Sequence, residues 1–416
     1  MAPAELSERI AALVAEHGVG DQSDSAASVA GAVSYGAGGS EKNPGLLRRH
    51  AFLGARFDAG LAWVHFPEGR GGSALPRTEQ IGVEAEFARL GAPPTAQADN
   101  VIGYGMAAPT ILEFGTDEQR DRLLRPIFTG EEIWCQLFSE PGAGSDLAAV
   151  ATRAIRDGDD WIVSGQKVWT SFAHTAKWAI LLARTDPDVP KHRGLTYFIA
   201  DMTAPGIEVR PLRQITGEAE FNEVFFTDVR IPDSARLGDE GNGWAVAQGT
   251  LMNERMAISG GAARESGMVG LLAELWRSRP ELRRTALHDR LMRLWVEAEV
   301  YRFSCDRQRQ QLIAGRPGPD GSGSKVTFAQ LQQDSTALEL ELLGAQGLHH
   351  EDWSLRRPTE SNWLAGGATH RYLRAKGNSI EGGTSEILLN VIAERVLGLP
   401  REPRSDSTLP WKDLPR

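Results

Sequence analysis

Four short stretches concentrate residue types that can do chemistry. FSEPGAGSD (138–146) combines glycines, which let backbone N–H groups approach a ligand closely, with the hydroxyls of Ser139 and Ser145. SGQKVWTSFAH (164–174) ends a strand-like pattern with Trp169, Thr170 and Ser171. An aromatic ring followed by hydroxyls suits a flat heterocycle that offers a face and polar edges. Alone, the first stretch reads rather as a surface turn and the second as a strand with a core tryptophan.

LMNERMAISGG (251–261) lies within a helical pattern. Leu251, Glu254, Arg255, Ile258 and Ala262 fall on one face by their spacing. Two ionisable groups on an apolar stripe are costly to bury without a partner or a task. They mark either a site or an ion pair with another helix. The fourth stretch is SIEGGTSEI (379–387). Gly382 and Gly383 precede Thr384, a candidate N-cap, and Glu386 falls in the first helical turn. Such a helix start offers N–H groups to an anion, for example a cofactor phosphate. Glu381, just before the glycines, poses the question of whether it is a catalytic base.

These stretches need elements to hold them. Helical patterns run over 4–17, 45–60, 76–91, 97–115 and 117–129, with Thr116 as N-cap of the last. Residues 18–44, rich in Gly, Ala and Ser, read as a loop. Between 132 and 236 the chain turns to short runs rich in β-branched and aromatic residues, separated by turn signals such as Asp157-Gly158 and Pro205-Gly206. Helical spacing returns over 244–277, 284–314, 325–343, 362–375 and 384–397, with a loop at 314–324. Grouped strands between two helical runs make the class α+β. The expected domains are 1–131, 132–236 and 237–416.

Bulk properties narrow the function. The chain has 416 residues, 41% of them hydrophobic, enough for a sizeable core. A net charge of −10 argues against a nucleic-acid footprint. Two distant cysteines, Cys135 and Cys305, make neither a disulfide framework nor a metal cluster. No metal is expected. The first residues read as an amphipathic helix, and no stretch approaches the ~18 apolar residues of a membrane span. A cytoplasmic protein is expected.

Taken together, the order and spacing of the stretches resemble the acyl-CoA dehydrogenase family of flavoproteins, from about residue 80 to Pro400. FSEPGAGSD resembles the family's first signature, GQKVWTS its flavin-facing strand, and FNEVFFTDVRIP its last β-strands. NGWAVAQGTLMNER resembles the start of the helix after the β-domain, and IEGGTSEI with IAERVLGLP the C-terminal signature. The resemblance implies an N-terminal helical domain, a middle β-barrel or sandwich domain and a C-terminal four-helix bundle. It implies FAD, an acyl-CoA substrate and α,β-desaturation of the thioester, with electrons passing to an electron-transfer flavoprotein. Phe138, Ser139, Gly144, Ser145, Trp169, Ser171, Thr384 and Glu386 match cofactor contacts, and Ser145 also matches a substrate contact.

Many relatives read Tyr-Glu-Gly-Thr where this chain reads Glu381-Gly382-Gly383-Thr384. Aligned on Gly383-Thr384, the usual base position is Gly382. If the segment is extended, Glu381 points to the side opposite to a side chain at 382. Other relatives carry the base in a Glu-Arg pair on the helix after the β-domain. Glu254 is therefore the candidate base, Arg255 its electrostatic support and a substrate contact, and the Gly382 N–H a donor to the thioester oxygen.

Two segments depart from the family. RQQLIAGRPGPDGSGSK lacks the usual Arg-x-x-Phe-Gly, and LELLGAQG replaces a stretch that usually holds a cofactor-contacting glutamine. A homodimer or homotetramer and a mixed assembly both stay open. So do two alternative functions: a non-catalytic or co-catalytic subunit, and a flavin oxidase or monooxygenase.

Overall fold

The computed structural model describes residues 3–18, 44–258, 267–314, 321–350, 352–358, 366–401, 403 and 408–414. The side chains of 3, 4, 254–258, 312 and 313 fall outside that description. Helices α1 (Pro3–Glu16), α2 (Pro44–Asp58), α3 (Glu79–Arg89), α4 (Ala108–Phe114) and α5 (Asp117–Thr129) come first. α5 starts where its sequence demands. Thr116 accepts from the Gln119 amide while the Gln119 side chain accepts from the Thr116 amide, a reciprocal capping box. The pattern at 97–115 resolves into a turn, a π-helix at Gly103–Ala107 and α4.

Seven strands follow: β1 (Trp134–Leu137), β2 (Arg153–Asp157), β3 (Asp160–Ser171), β4 (Trp178–Arg184), β5 (Leu195–Asp201), β6 (Ile207–Pro211) and β7 (Phe221–Pro232). They form one mixed sheet in the order β1-β4-β2-β3-β7-β6, with β5 also on β4. β1 and β4 run parallel, in register from Trp134–Trp178 to Leu137–Leu181. The alternation of β4 splits the core. Ile180 and Leu182 join the apolar cluster built on the N-terminal helices, while Ala179, Leu181 and Ala183 join a second cluster on the other face. A strand covered on both faces must read as a continuous apolar run, as WAILLAR does.

The remaining helices are α6 (Gly243–Ile258), α7 (Met268–Ser278), α8 (Thr285–Ile313), α9 (Gly321–Leu343), α10 (Ala368–Ala375) and α11 (Ser385–Arg395). The single helix expected over 244–277 is described as α6 and α7, and residues 259–266 between them lie outside the described residues. The expected loop at 18–44 lies outside them too, apart from its two ends. α9 begins four residues before the expected start at 325, inside the glycine- and serine-rich stretch. Ser322 and Ser324 are buried there, so packing overrides local composition. α8 buries Leu287, Leu291, Leu294, Ala298, Tyr301 and Cys305 on one stripe against α7 and α9. Among the described residues no helix is long and apolar enough to cross a membrane.

Candidate functional site

The glycine-rich loop leaves β1 and turns back at once. Glu140 and Ala143 exchange both backbone hydrogen bonds at 3.0 Å. Gly144 and Ser145 are exposed beyond that turn, and Ser139 is half-buried. Phe138 is different. Its ring lies in the core, edge-on to Tyr197 at 5.7 Å between centroids, so it meets the site through its backbone.

That backbone is held by a group the sequence reading passed over. Lys167 on β3 is fully buried, and its Nζ donates to the Phe138 carbonyl (2.9 Å), the Leu182 carbonyl (2.8 Å) and Glu140 Oε1 (2.8 Å). All three ammonium donors are thereby satisfied. Glu140 also accepts from the amides of Ala151 (2.7 Å) and Thr152 (2.9 Å). Burial works against its charge, but Lys167 and these amides outweigh it and hold the carboxyl below the usual carboxylate range. Burial also lowers the Lys167 pKa, and Glu140 opposes that shift. The signal in the sequence was a lysine at an inward position of β3, on the alternation that buries Trp161 and Val163.

Next to Lys167, β3 breaks register. Lys167 pairs with Val224 but Thr170 pairs with Asn222, so β3 carries one extra residue, a β-bulge. Trp169 sits in it with φ +61° and Phe172 follows at +54°. Both are left-handed, a conformation that costs a non-glycine residue about 1–3 kcal/mol. Trp169 is nevertheless 57% exposed, with its ring edge-on to Phe221 at 5.7 Å. A large aromatic ring held outward on strained backbone offers a face on which a flat partner could stack. Ser171, half-buried, pairs with Phe221 two residues on. Behind it, Asn222 Nδ2 donates to the carbonyls of Thr170 and Glu220, both at 3.1 Å, and stands 3.4 Å from His174 Nδ1. Burial, and then Arg357, lower the His174 pKa to about 4, so this imidazole is neutral at pH 7.

The C-terminal stretch corrects one expectation. Residues 380–383 are not extended but form a turn, with Gly382 at φ +62° and Gly383 at +95°. Two consecutive left-handed residues explain two consecutive glycines. Thr384 is the N-cap of α11 and accepts from the Ile387 amide at 3.2 Å, while Glu386 is exposed in the first turn. Glu381 is already engaged. It accepts from Arg374 (3.2 and 3.4 Å) and from Asn378 Nδ2 (3.2 Å). Arg374 also reaches Glu220 Oε1 at 3.2 Å and lies 5.8 Å from the centre of the Phe221 ring.

Glu254 and Arg255 lie on α6, with their side chains outside the described residues. One turn earlier, Thr250 Oγ1 meets Thr110 Oγ1 (3.0 Å) and the Tyr197 hydroxyl (2.9 Å) and donates to the Val246 carbonyl (3.0 Å). α6 is thus pinned between α4 and β5, beside the π-helix, a feature that often marks functional sites.

The stretches are joined by contact. Trp169 meets Phe221, which meets Arg374, which holds Glu381. Phe138 meets Tyr197, which meets Thr250 on α6. A cleft of about 440 Å³ among Arg9, Asp58, Gly69 and Ser73 involves none of them. Among the described residues no group of three or more His, Cys, Asp or Glu could hold a metal. The exposed Trp169 ring, the Ser171 hydroxyl and the amides at the start of α11 fit an aromatic cofactor that carries phosphate.

Comparison with known proteins gives three domain models of one family. The acyl-CoA dehydrogenase N-terminal domain matches residues 46–131, the middle domain 135–229 and the C-terminal domain 241–397. Acyl-CoA dehydrogenase FadE34 of Mycobacterium tuberculosis is 43% identical over 83% of this chain, which spans 45% of that protein's length. Acyl-CoA dehydrogenase IpdE1 of the same organism is 39% identical over 83% of the chain and 86% of its own length. Among solved structures, the Tcur3481-Tcur3483 steroid ACAD aligns with a TM-score of 0.69 at 26% identity, covering 97% of this chain and 99% of that one. The ChsE4-ChsE5 complex from Mycobacterium tuberculosis gives 0.67 at 27% identity, with 96% and 97% covered.

Proposed function

Since the chain belongs to the acyl-CoA dehydrogenase family, we propose that it oxidises an acyl-CoA thioester to the 2,3-enoyl-CoA, with FAD as cofactor and Glu254 as base. The observation that carries the assignment of the base is the engagement of Glu381. Its carboxylate is committed to Arg374 and Asn378, and residue 382 has no side chain. This favours a base from elsewhere, and Glu254 is an acid on a helix pinned to both the N-terminal helices and the sheet.

Glu254 takes the α-proton of the thioester. Exclusion of water raises the pKa of such a carboxylate toward the value this task needs. Arg255 supports the developing negative charge and binds substrate. The Gly382 N–H donates to the thioester oxygen, where enolate charge grows. Bound FAD supplies the acceptor for the β-hydride. Trp169 and the Ser171 hydroxyl would hold its ring, and Thr384, Glu386 and the amides at the start of α11 would contact the rest of it. Phe138, Ser139, Gly144 and Ser145 form the loop that covers cofactor and thioester, held in place by Lys167. The test is the visible spectrum of the purified protein under anaerobic titration with straight, branched and ring-bearing acyl-CoAs. Retained flavin that one of them bleaches, with enoyl-CoA formed, supports the reading. Retained flavin that ignores every thioester and reoxidises at once in air favours an oxygen-using enzyme.

A second reading concerns assembly, and the exposed apolar stripe of α8 favours it: Met292, Val296, Val300 and Phe303 share one face. The ChsE4-ChsE5 complex and the Tcur3481-Tcur3483 enzyme each pair two components by name. On this reading the present chain covers α8 with a second chain of the same fold and passes electrons to an electron-transfer flavoprotein. A colourless isolated chain that gains flavin only with a partner supports it.

A further inference from the structure

The turn that carries Gly382 is held from two sides by groups outside the four stretches. From one side, Lys325 on α9 donates through Nζ to the carbonyls of Asn378 (2.6 Å) and Gly383 (2.8 Å), which bracket the turn. From the other, Arg374 on α10 binds Glu381 at 3.2 Å and Glu220 at 3.2 Å, so one guanidinium joins the turn to the residue before β7. Phe221, the next residue, pairs with Ser171 and carries the edge contact to Trp169. The tether therefore runs from Gly382 to the strand pair that presents Trp169. Residue 377 is fitted to it, since a Cβ there would lie 3.0 Å from Arg374 Nη1.

Two adjacent left-handed glycines have little stiffness of their own. A hydrogen-bond donor stabilises a developing oxyanion most when it is already aimed and need not reorganise. We propose that Lys325 and the Glu381–Arg374–Glu220 tether are positioning residues, which fix the Gly382 amide relative to the Trp169 platform so that it meets the thioester oxygen as enolate charge develops. This assigns Glu381 a task other than proton transfer. It rests on the acyl-CoA reading above.

The test uses the flavin-loaded protein and a 3-thia-acyl-CoA, whose α-proton can leave but whose β-position has no hydride to give. The α-deprotonated ligand beside oxidised flavin gives a long-wavelength charge-transfer band, and the pH midpoint of that band reports how well the oxyanion is held. In Glu381→Ala and Lys325→Met the midpoint is expected to rise by about one unit, tenfold weaker acidity of the bound ligand. Glu381→Gln, which can still accept from Arg374, is expected to stay nearer the parent. Hydrogen exchange over 376–384, read without flavin, is expected to quicken in the same order. Parent-like midpoints in Glu381→Ala and Lys325→Met overturn the proposal, even if thermal stability falls. If Lys325→Met does not fold, Glu381→Ala decides alone, since Glu381 is partly exposed. A parent that gives no band with any thioester removes the acyl-CoA reading itself, and the proposal with it.

Discussion

From α1 to β7, apolar residues are drawn into two clusters, and the Lys167–Glu140 ion pair is buried with every ammonium donor satisfied. Beyond Thr285 the pattern changes. α8 buries Leu287, Leu291 and Leu294 on one stripe yet exposes Val296, Val300 and Phe303 on another. The Arg290–Glu341 pair lies at the surface, and α11 exposes Ile387 and Leu389. A helix that is apolar on two sides belongs to a core completed by something else. The first region supplies most of two closed apolar clusters. The second carries the Gly382 turn and leaves apolar side chains outside its core.

Charge removal should separate the two regions most sharply. Lys167→Met leaves Glu140 buried and unpaired and should cost on the order of 3–5 kcal/mol in denaturant unfolding. Adding Glu140→Gln should recover much of that loss. Arg290→Ala should change stability by less than ~1 kcal/mol. Equal losses at the two sites would erase the distinction.

Next in size is a change confined to the second region. On the proposed assembly, Phe303→Glu or Val296→Glu should leave far-ultraviolet circular dichroism unchanged but lower the mass seen by light scattering. Unchanged mass would mean that the α8 stripe is not the covered face.

A smaller effect probes strain in the first region. Trp169→Gly relieves a left-handed backbone and should raise the thermal midpoint modestly, by up to ~1 kcal/mol in stability. Flavin retention, read as the ratio of visible to ultraviolet absorbance, should fall in the same variant. A gain in both would show that Trp169 is not a flavin platform.

The smallest effect is on pH dependence. His65 and His174 both have folded pKa values lowered to about 4, by burial first and by Arg77 or Arg357 second. The unfolded chain binds protons at these sites below about 6.5, where the folded chain does not. Their contribution is complete above pH 6.5 and is lost as pH falls toward 4. His65→Gln and His174→Gln should each flatten the stability profile across that window, and a profile as steep as the parent's would contradict the burial of these rings as neutral groups.

Much of this was legible in the residues and some was not, for physical reasons. Thr116 and Gln119 announce the start of α5 because a capping box is local chemistry. The run WAILLAR announces a strand buried on both faces. The start of α9 at Gly321 was hidden because its glycines and serines are helical only through packing of Ser322 and Ser324. The left-handed backbone at Trp169 was hidden because it comes from a register shift against β7. An extended segment would aim Glu381 away from position 382, yet the segment turns and its carboxylate meets Arg374, seven residues earlier. The polar, aromatic and glycine residues of each stretch are visible in the sequence. The Lys167, Lys325 and Arg374 contacts that hold the stretches together are long-range and were not.

The central claim is that proton transfer belongs to α6 and not to the Gly382 turn. The most direct measurement is the anaerobic rate at which a bleaching acyl-CoA reduces the flavin of Glu254→Gln compared with the parent. Loss of a positioned general base should slow it by about 10²–10⁴-fold while flavin stays bound. A Glu254→Gln variant that bleaches as fast as the parent would contradict the account and return the search for the base to the turn itself.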